Sequence, residues 1–161
     1  MKTMSRPPRF HEENRPYFVT TSTVQRRPIF RDPDQADLLK TVLYQTRERY
    51  GFLLLGFVVM PDHLHAVVVP RPGDTISQVM RFIKGTYARF HNRRLAQRGP
   101  VWQASFYDRA IRDEKALLDV TAYMEGNPVR AGLAMTAQMY PFSSAHRDCA
   151  TDLEAYLSGQ A

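Results

Sequence analysis

Two apolar, valine-rich runs lie on either side of a short turn in the first half of the chain. The first covers residues 52–60, and the second begins at His63 and ends near Val69. β-Branched residues favour strands, and Pro61-Asp62 between the runs favours a tight turn. The stretch therefore predicts two adjacent strands, which commits this part of the chain to an antiparallel sheet.

Two histidines, His63 and His65, interrupt the second apolar run. Successive side chains of a strand point to opposite faces, so both imidazoles share one face, about 7 Å apart along the strand. Polar rings in an apolar strand need a compensating partner. Two imidazoles at this spacing can bind one cation and leave room for a third ligand. The alternative is that one histidine caps a turn and the other is a hydrogen-bonded core residue.

A second informative stretch covers residues 113–127, with the sequence DEKALLDVTAYMEGN. Asp113 is the predicted N-cap of a helix, and Pro128 predicts that the helix ends at about Asn127. Tyr123 and Asn127 are four residues apart and share one helix face. A phenol and an amide oxygen there can place a nucleophile beside the third ligand of a cation. The alternative is that Tyr123 is a core residue and Asn127 a C-cap.

Taken together, these stretches resemble a known family. His63-Leu64-His65 resembles the HUH motif, in which two histidines flank a bulky apolar residue. Residues 123–133, YMEGNPVRAGL, resemble the tyrosine helix and following turn of single-tyrosine HUH transposases. The branch of REP-associated tyrosine transposases is matched by Trp102-Gln103, by FYDR at 106–109 and by Ile111-Arg112. The similarity extends over roughly residues 10–145 in the same order.

The resemblance implies an enzyme that nicks and rejoins single-stranded, hairpin-forming DNA through a 5′-phosphotyrosine, as in transposition and recombination. Tyr123 would be the nucleophile, and His63, His65 and Asn127 would hold a divalent metal, Mg²⁺ or Mn²⁺. Imidazole ligands favour Mn²⁺. For this branch the resemblance implies chromosomal REP-type hairpins, a domesticated enzyme, and a monomer or homodimer. Met124 stands where the family more often has Ile, and relatives from insertion sequences often have Gln where this chain has Asn127.

Basic residues dominate the charge of the chain and of its predicted second long helix. The formal net charge is +6, and 18 of the 22 basic residues are Arg. Arginine binds phosphate bidentately and stacks on bases, so this bias favours a nucleic-acid partner. Arginine-rich codon usage and an ordinary solvated helix face are the alternatives. The predicted DNA-binding residues are Arg81, Lys84, Arg89, Arg93 and Arg94 on that helix, together with Arg109 and Arg130.

The predicted elements follow the order β-α-β-β-α-β, with the tyrosine-bearing helix after them. This order predicts an α+β ferredoxin-like sandwich with one antiparallel sheet, in which the first and third strands are central. The histidine face must then be the face that the tyrosine helix covers. Besides the two central runs, the predicted bounds are a strand at 17–24, a helix from Asp32-Pro33 to Gly51, a helix from about residue 75 to Gly99-Pro100, and a strand at 101–112.

Length and composition indicate the number of domains and the cellular setting of the protein. A chain of 161 residues is predicted to be one domain, with an irregular basic arm at 1–15 and a C-terminal tail at 141–161. The single cysteine, Cys149, excludes an internal disulfide and favours a reduced cytoplasmic, nucleoid-associated setting. No apolar run approaches the length of a membrane span and no signal peptide is present, so we expect neither membrane insertion nor export.

Three other functions are compatible with these motifs. A relaxase or replication initiator would use the same site, and a non-catalytic single-strand nucleic-acid-binding module would share the sheet topology. A small metal-dependent hydrolase would not need Tyr123. One tyrosine on the proposed helix face favours the transposase branch over two-tyrosine initiators. The third strand, HLHAVVV, argues against an RNA-recognition module, which would carry aromatic residues there.

Overall fold

A four-stranded antiparallel sheet is the framework of the protein. The computed structural model describes residues 15–161, so the predicted arm lies outside the described residues except for Arg15. The strands are β1 (Tyr17–Ser22), β2 (Leu53–Met60), β3 (His63–Val69) and β4 (Tyr107–Ala110). Their order is β2-β3-β1-β4, and every neighbouring pair is antiparallel. This confirms the predicted ferredoxin-like α+β fold, with β1 and β3 in the centre.

The α-helices begin where the sequence carries capping residues. Within residues 15–161 they are α1 (Pro33–Tyr50), α2 (Ile76–Arg94), α3 (Glu114–Glu125), α4 (Asn127–Arg130) and α5 (Leu153–Leu157). Asp32 caps α1, Thr75 and Gln78 form a capping box at α2, and Asp113 accepts a hydrogen bond at α3. None of these helices combines the length and the apolar character that a membrane crossing requires.

The sheet separates two apolar layers. Leu64 belongs to the layer packed against α1 and α2, whereas Val67 packs with Met124 of α3 on the other face. Because side chains alternate along β3, His63 and His65 share the face of Val67. The tyrosine-bearing helix therefore covers the histidine face and the two long helices cover the opposite face, as the predicted topology requires.

A bulge in β2 brings α3 close to the sheet. The pairing register with β3 shifts at Leu55, so that Leu55 and Gly56 both face α3. A Cβ atom at Gly56 would lie 3.0 Å from Cε of Met124 and 3.3 Å from Cγ2 of Thr121. The missing side chain therefore sets how closely α3 packs on β2, and α3 is the helix that carries Tyr123.

The segment that follows α4 closes the outer edge of β2. The amide of Val59 donates to the carbonyl of Phe142 at 2.8 Å, and the amide of Ser144 donates to the carbonyl of Phe57 at 2.9 Å. An open edge strand invites pairing with other chains, so residues 140–144 act as a strap that protects this edge. The strap begins at the start of the predicted C-terminal tail, and α5 lies within that tail.

The fourth strand is shorter than predicted. Only Tyr107–Ala110 of the predicted strand at 101–112 pairs as a continuous strand with β1. The ammonium of Lys84 donates to the carbonyl of Gln103 at 2.9 Å, and the indole N–H of Trp102 donates to the carbonyl of Lys84 at 3.1 Å. The alternation of aromatic and polar residues predicted one strand, but these bonds to α2 hold residues 102–105 as a loop.

Two helix ends also differ from the prediction. Helix α2 ends at Arg94 and does not continue to Gly99-Pro100. Helix α3 ends at Glu125, and Asn127 already belongs to α4, although a following proline disfavours helical geometry. Gly126 joins the helices with right-handed helical angles, φ −78° and ψ −10°. Asn127 is therefore a helical residue and not a C-cap.

Replacing Gly56 by Ala is expected to lower the free energy of unfolding by about 1–3 kcal/mol, because the added methyl group overpacks the contact between β2 and α3. Gly85→Ala is the matched control. Gly85 is exposed within α2, and a Cβ there meets nothing within 4 Å. The control should raise the free energy of unfolding by about 0.5–1 kcal/mol. Urea unfolding measures both, and equal effects would contradict the tight contact at Gly56.

Candidate functional site

Two imidazole rings of β3 converge on one point. The Nε2 atoms of His63 and His65 lie 3.1 Å apart, and the ring planes are inclined by 77°. Adjacent ligands of an octahedral ion lie about 3.0 Å apart when each is about 2.1 Å from the ion. A tetrahedral ion at a similar distance would require about 3.4 Å. The observed distance suits an N–H···N hydrogen bond and lies within the range of two adjacent ligands of one metal ion.

Each imidazole is oriented through its other nitrogen. Oδ1 of Asp62 lies 2.6 Å from Nδ1 of His63, and Oγ1 of Thr20 lies 2.7 Å from Nδ1 of His65. Nε of Arg26 donates to the second oxygen of Asp62 at 3.0 Å. Partners at Nδ1 fix the ring orientation and leave Nε2 as the ligand atom, and a carboxylate partner raises its basicity.

The surroundings keep His65 neutral at neutral pH. Burial, assisted by the charges of His63, Arg26 and Arg130, lowers the pKa of His65 to about 4. Burial alone would raise the pKa of Asp62, but its hydrogen bond with His63 and the charge of Arg26 outweigh that effect and lower the pKa. A neutral imidazole at His65 suits metal ligation, because the ligand lone pair is free of a proton.

Tyr123 and Asn127 lie at the junction of α3 and α4, where Arg130 connects them. The side chain of Tyr123 is 65% exposed, so it is not the core residue that the helix pattern alone would allow. The guanidinium carbon of Arg130 lies 4.0 Å from the centre of the Tyr123 ring. Nη2 of Arg130 donates to Oδ1 of Asn127 at 2.6 Å. The charge of Arg130 also contributes to the lowered pKa of His65, after burial and the charges of His63 and Arg26.

The histidine pair needs a further ligand of another type to hold a metal ion. Among the described residues 15–161, no group of three His, Cys, Asp or Glu side chains is placed to bind one. Asn127 is the amide that the sequence nominates for this role. Two neutral imidazoles and one amide oxygen fit a divalent cation, because they leave its charge undiminished and leave positions open for substrate. The ligand roles and the nucleophile role of Tyr123 stay predictions.

Of the predicted DNA-binding residues, Arg109 lies on the histidine face. It pairs with Phe18 of β1, and the ring of Phe18 stacks on His65 with centroids 5.4 Å apart. Tyr107 pairs with Thr20 in the neighbouring row and is 56% exposed. An exposed aromatic ring and an arginine therefore lie on the same sheet surface as the histidines. This is the pattern of a single-strand track, with one group for bases and one for phosphate.

The other predicted DNA-binding residues of the long helix lie on α2, across the sheet from the histidines. Four of them are exposed: Arg81, Arg89, Arg93 and Arg94. Lys84 differs, because its ammonium is bound to the carbonyl of Gln103 and burial lowers its pKa. We therefore expect Lys84 to hold the loop before β4, while the four arginines remain available to a partner.

Four residues of the candidate site were not predicted from the sequence: Thr20, Arg26, Asp62 and Tyr107. Thr20 and Tyr107 come beside the histidines only through the pairing register of β1, which no local pattern encodes. Asp62 directly precedes the first histidine, and a turn carboxylate beside a candidate ligand is a signal that could have been used. The sequence therefore predicts candidate reacting groups more readily than the groups that orient them.

Comparison with known proteins identifies similar chains. The family model described as "Transposase IS200 like" matches residues 13–127, a range that contains both histidines, Tyr123 and Asn127. A REP-associated tyrosine transposase of Escherichia coli (strain K12) is 28% identical over 151 residues, which cover 93% of this chain and 88% of that protein. A Haemophilus influenzae protein, inferred to be a REP-associated tyrosine transposase, is 28% identical over 147 residues, covering 85% of this chain and 83% of that one.

A solved structure is similar over most of the fold. It is a REP-associated tyrosine transposase bound to a REP hairpin, and it matches this chain with a TM-score of 0.73 and 27% sequence identity. The match covers 90% of this chain and 85% of that one. The sheet and the helices on both faces therefore belong to an architecture that a hairpin-bound transposase shares.

Lowering the pH from 7 to 5 is expected to reduce the free energy of unfolding by about 1–2 kcal/mol through His65. The pKa of His65 is about 4 in the folded chain against a reference of 6.5. Between these values the unfolded chain binds the proton and the folded chain does not, so stability rises with pH. Urea unfolding at both pH values checks this, with His65→Gln as control. A variant that keeps the full pH dependence would exclude His65 as its source.

Proposed function

This chain belongs to the IS200-like transposase family, and we propose that it is a metal-dependent endonuclease and strand transferase for single-stranded, REP-like hairpin DNA. Enzymes of this family cut and rejoin DNA and are generally metal-dependent. The observation that carries the proposal is the convergence of the His63 and His65 Nε2 atoms on the face covered by the helix of Tyr123. A cytoplasmic, nucleoid-associated location follows from the substrate.

His63, His65 and Asn127 would hold the cation, with Asp62 and Thr20 orienting the two imidazoles. Held there, Mg²⁺ or Mn²⁺ would supply charge neutralisation at the phosphodiester and make its phosphorus more electrophilic. Imidazole ligands favour Mn²⁺ over Mg²⁺. The protein contributes rigidity, because both histidines lie on a central strand and their rings are held at Nδ1.

Tyr123 is the proposed nucleophile. Its phenolic oxygen forms a bond to phosphorus while the bond from phosphorus to the 3′ oxygen breaks. The phenol loses its proton and the departing 3′ oxygen gains one, which leaves a 5′-phosphotyrosine and a free 3′-OH. The reverse attack by a 3′-OH rejoins a strand, and the covalent intermediate conserves the bond energy for that step. The exposure of Tyr123 makes the phenol accessible to DNA.

The proposed substrate is a hairpin with a single-stranded extension. Tyr107 and Arg109 lie on the histidine face and would bind a base and a phosphate of the single strand. The exposed arginines of α2 would bind the backbone of the duplex stem. The similar REP-associated transposase, bound to a REP hairpin, supports this substrate class. In α3 the single tyrosine supports a transposase-like reaction over a two-tyrosine initiator.

The covalent intermediate is the most direct test of the reaction. Protein, Mn²⁺ and a labelled hairpin oligonucleotide should give an adduct that resists SDS. Tyr123→Phe should remove the adduct and slow cleavage by roughly 10³-fold or more, because the nucleophile is lost. Tyr50→Phe is the control, since Tyr50 lies on α1 and its ring stacks on Phe82. Unchanged cleavage by Tyr123→Phe would instead indicate a metal-dependent hydrolase.

The role of the histidine pair is tested by its orienting carboxylate. Asp62→Asn should weaken Mn²⁺ binding by about 10–100-fold, because the partner of the His63 ring loses its charge. Asp108→Asn removes the same charge from an exposed position of β4 and should leave Mn²⁺ binding nearly unchanged. Titration calorimetry in the absence of DNA measures both. A similar loss in the two variants would indicate only a change of net charge.

A further inference from the structure

One arginine, Arg130, contacts both residues of the α3–α4 junction that the proposed reaction needs, Asn127 and Tyr123. Nη2 of Arg130 donates to Oδ1 of Asn127 at 2.6 Å and also to the carbonyl oxygen of Tyr123. Its guanidinium covers the Tyr123 ring at 4.0 Å. The proposed reaction assigns Oδ1 of Asn127 to a cation and the phenol of Tyr123 to a phosphodiester. One cationic side chain therefore occupies Oδ1 of Asn127 and covers the ring of Tyr123.

The place that the guanidinium occupies exists because residue 126 is glycine. A Cβ atom at Gly126 would lie 2.7 Å from Nη1 of Arg130, which is closer than a methyl group can approach. The backbone of Gly126 has ordinary helical angles, φ −78° and ψ −10°, which alanine adopts readily. The conformation of the chain therefore does not require glycine here, but a side chain at residue 126 would shift the Arg130 guanidinium from its observed place.

A guanidinium on Oδ1 of Asn127 opposes a cation at the same oxygen. The two positive charges would be separated by a single oxygen atom, and like charges at that distance repel strongly. Arg130 is exposed and has a long, flexible side chain, so its guanidinium can move away. A phosphate group offers it a stronger, bidentate partner than an amide oxygen does.

We propose that Arg130 is an exchangeable latch, which holds Asn127 and Tyr123 in the free protein and transfers to a DNA phosphate when cation and substrate bind. This role depends on the function proposed above, because it takes Asn127 as a ligand and Tyr123 as the nucleophile. When DNA binds Arg130, Oδ1 of Asn127 becomes free for the cation. When a cation displaces Arg130, the guanidinium becomes free for a DNA phosphate. By linkage, each ligand then strengthens the binding of the other.

Mn²⁺ affinity without DNA tests the latch apart from catalysis. Arg130→Ala and Gly126→Ala should both bind Mn²⁺ about 3–10-fold more tightly than the parent, measured by titration calorimetry or by the EPR signal of free Mn²⁺. Gly126→Ala is the decisive variant, since it keeps the charge of Arg130 and removes only the space for its guanidinium. Tighter binding in Arg130→Ala alone would reduce the effect to net charge and overturn the latch.

Two further measurements distinguish a failure of the latch from a failure of the proposed function. In an Asn127→Ala background, Gly126→Ala should no longer change the affinity for Mn²⁺. If the parent binds Mn²⁺ through His63 and forms the adduct but Gly126→Ala leaves the affinity unchanged, the latch alone is wrong. If His63→Ala does not reduce the binding of Mn²⁺, the proposed metal site is wrong, and the latch is wrong with it.

The coupling between the two ligands completes the test. In a Tyr123→Phe background, which keeps the ring but cannot cleave, a hairpin oligonucleotide should raise the affinity for Mn²⁺ by about 5–150-fold. Adding Arg130→Ala should reduce that factor several-fold, whereas Arg147→Ala, at a side chain that is 92% exposed in the loop before α5, should not. A coupling factor that is the same with and without Arg130 would overturn the exchange.

Discussion

The pairing of β1 with β3, in the register that places Thr20 opposite His65, is the constraint on which the rest of the site depends. A shift by one residue would turn both histidines into the layer packed against α1 and α2, where two imidazoles would lack partners. The apolar residues fix the register, because Leu64 must face that layer and Val67 must face α3. The site is thus positioned by packing, and its hydrogen bonds refine what packing has already set.

The sequence predicted elements that local chemistry determines and failed where distant side chains intervene. Asp32 and Gly51 mark both ends of α1 because capping is a short-range effect, and the hairpin follows from valine-rich runs around one turn. The fourth strand was predicted too long, because the bond from Lys84 to Gln103 joins residues far apart in the chain. The continuation of α3 into α4 was missed for a different reason, because Pro128 indicated a helix end but lies in the first turn of α4, where proline is tolerated.

In the candidate site, too, the sequence predicted locally determined features better than those that depend on residues far apart in the chain. Strand and helix periodicity showed that His63 and His65 share one face and that Tyr123 and Asn127 share another. Their roles came from the resemblance to single-tyrosine HUH transposases. Asp62 and Thr20 orient the imidazoles, but only the folded sheet shows that Thr20 reaches His65. Charge counting likewise identified a basic chain without telling which arginines lie on the histidine face. That distinction needs the order of the strands, since β4 joins the sheet beside β1 and not beside β2.

The exposed arginines of α2 and Arg109 of β4 lie on opposite faces of the sheet. One DNA molecule could contact both only by passing around an edge of the sheet. The edge at β2 is closed by the strap of residues 140–144. Within the described residues the other edge is β4, which is short and exposed and carries Tyr107 and Arg109 toward the histidines. A stem bound along α2 would therefore pass its single strand around β4, because that route crosses the aromatic ring and the arginine before reaching Tyr123. In such a complex the strap would close the route at β2, and the short fourth strand would leave the route over the other edge open.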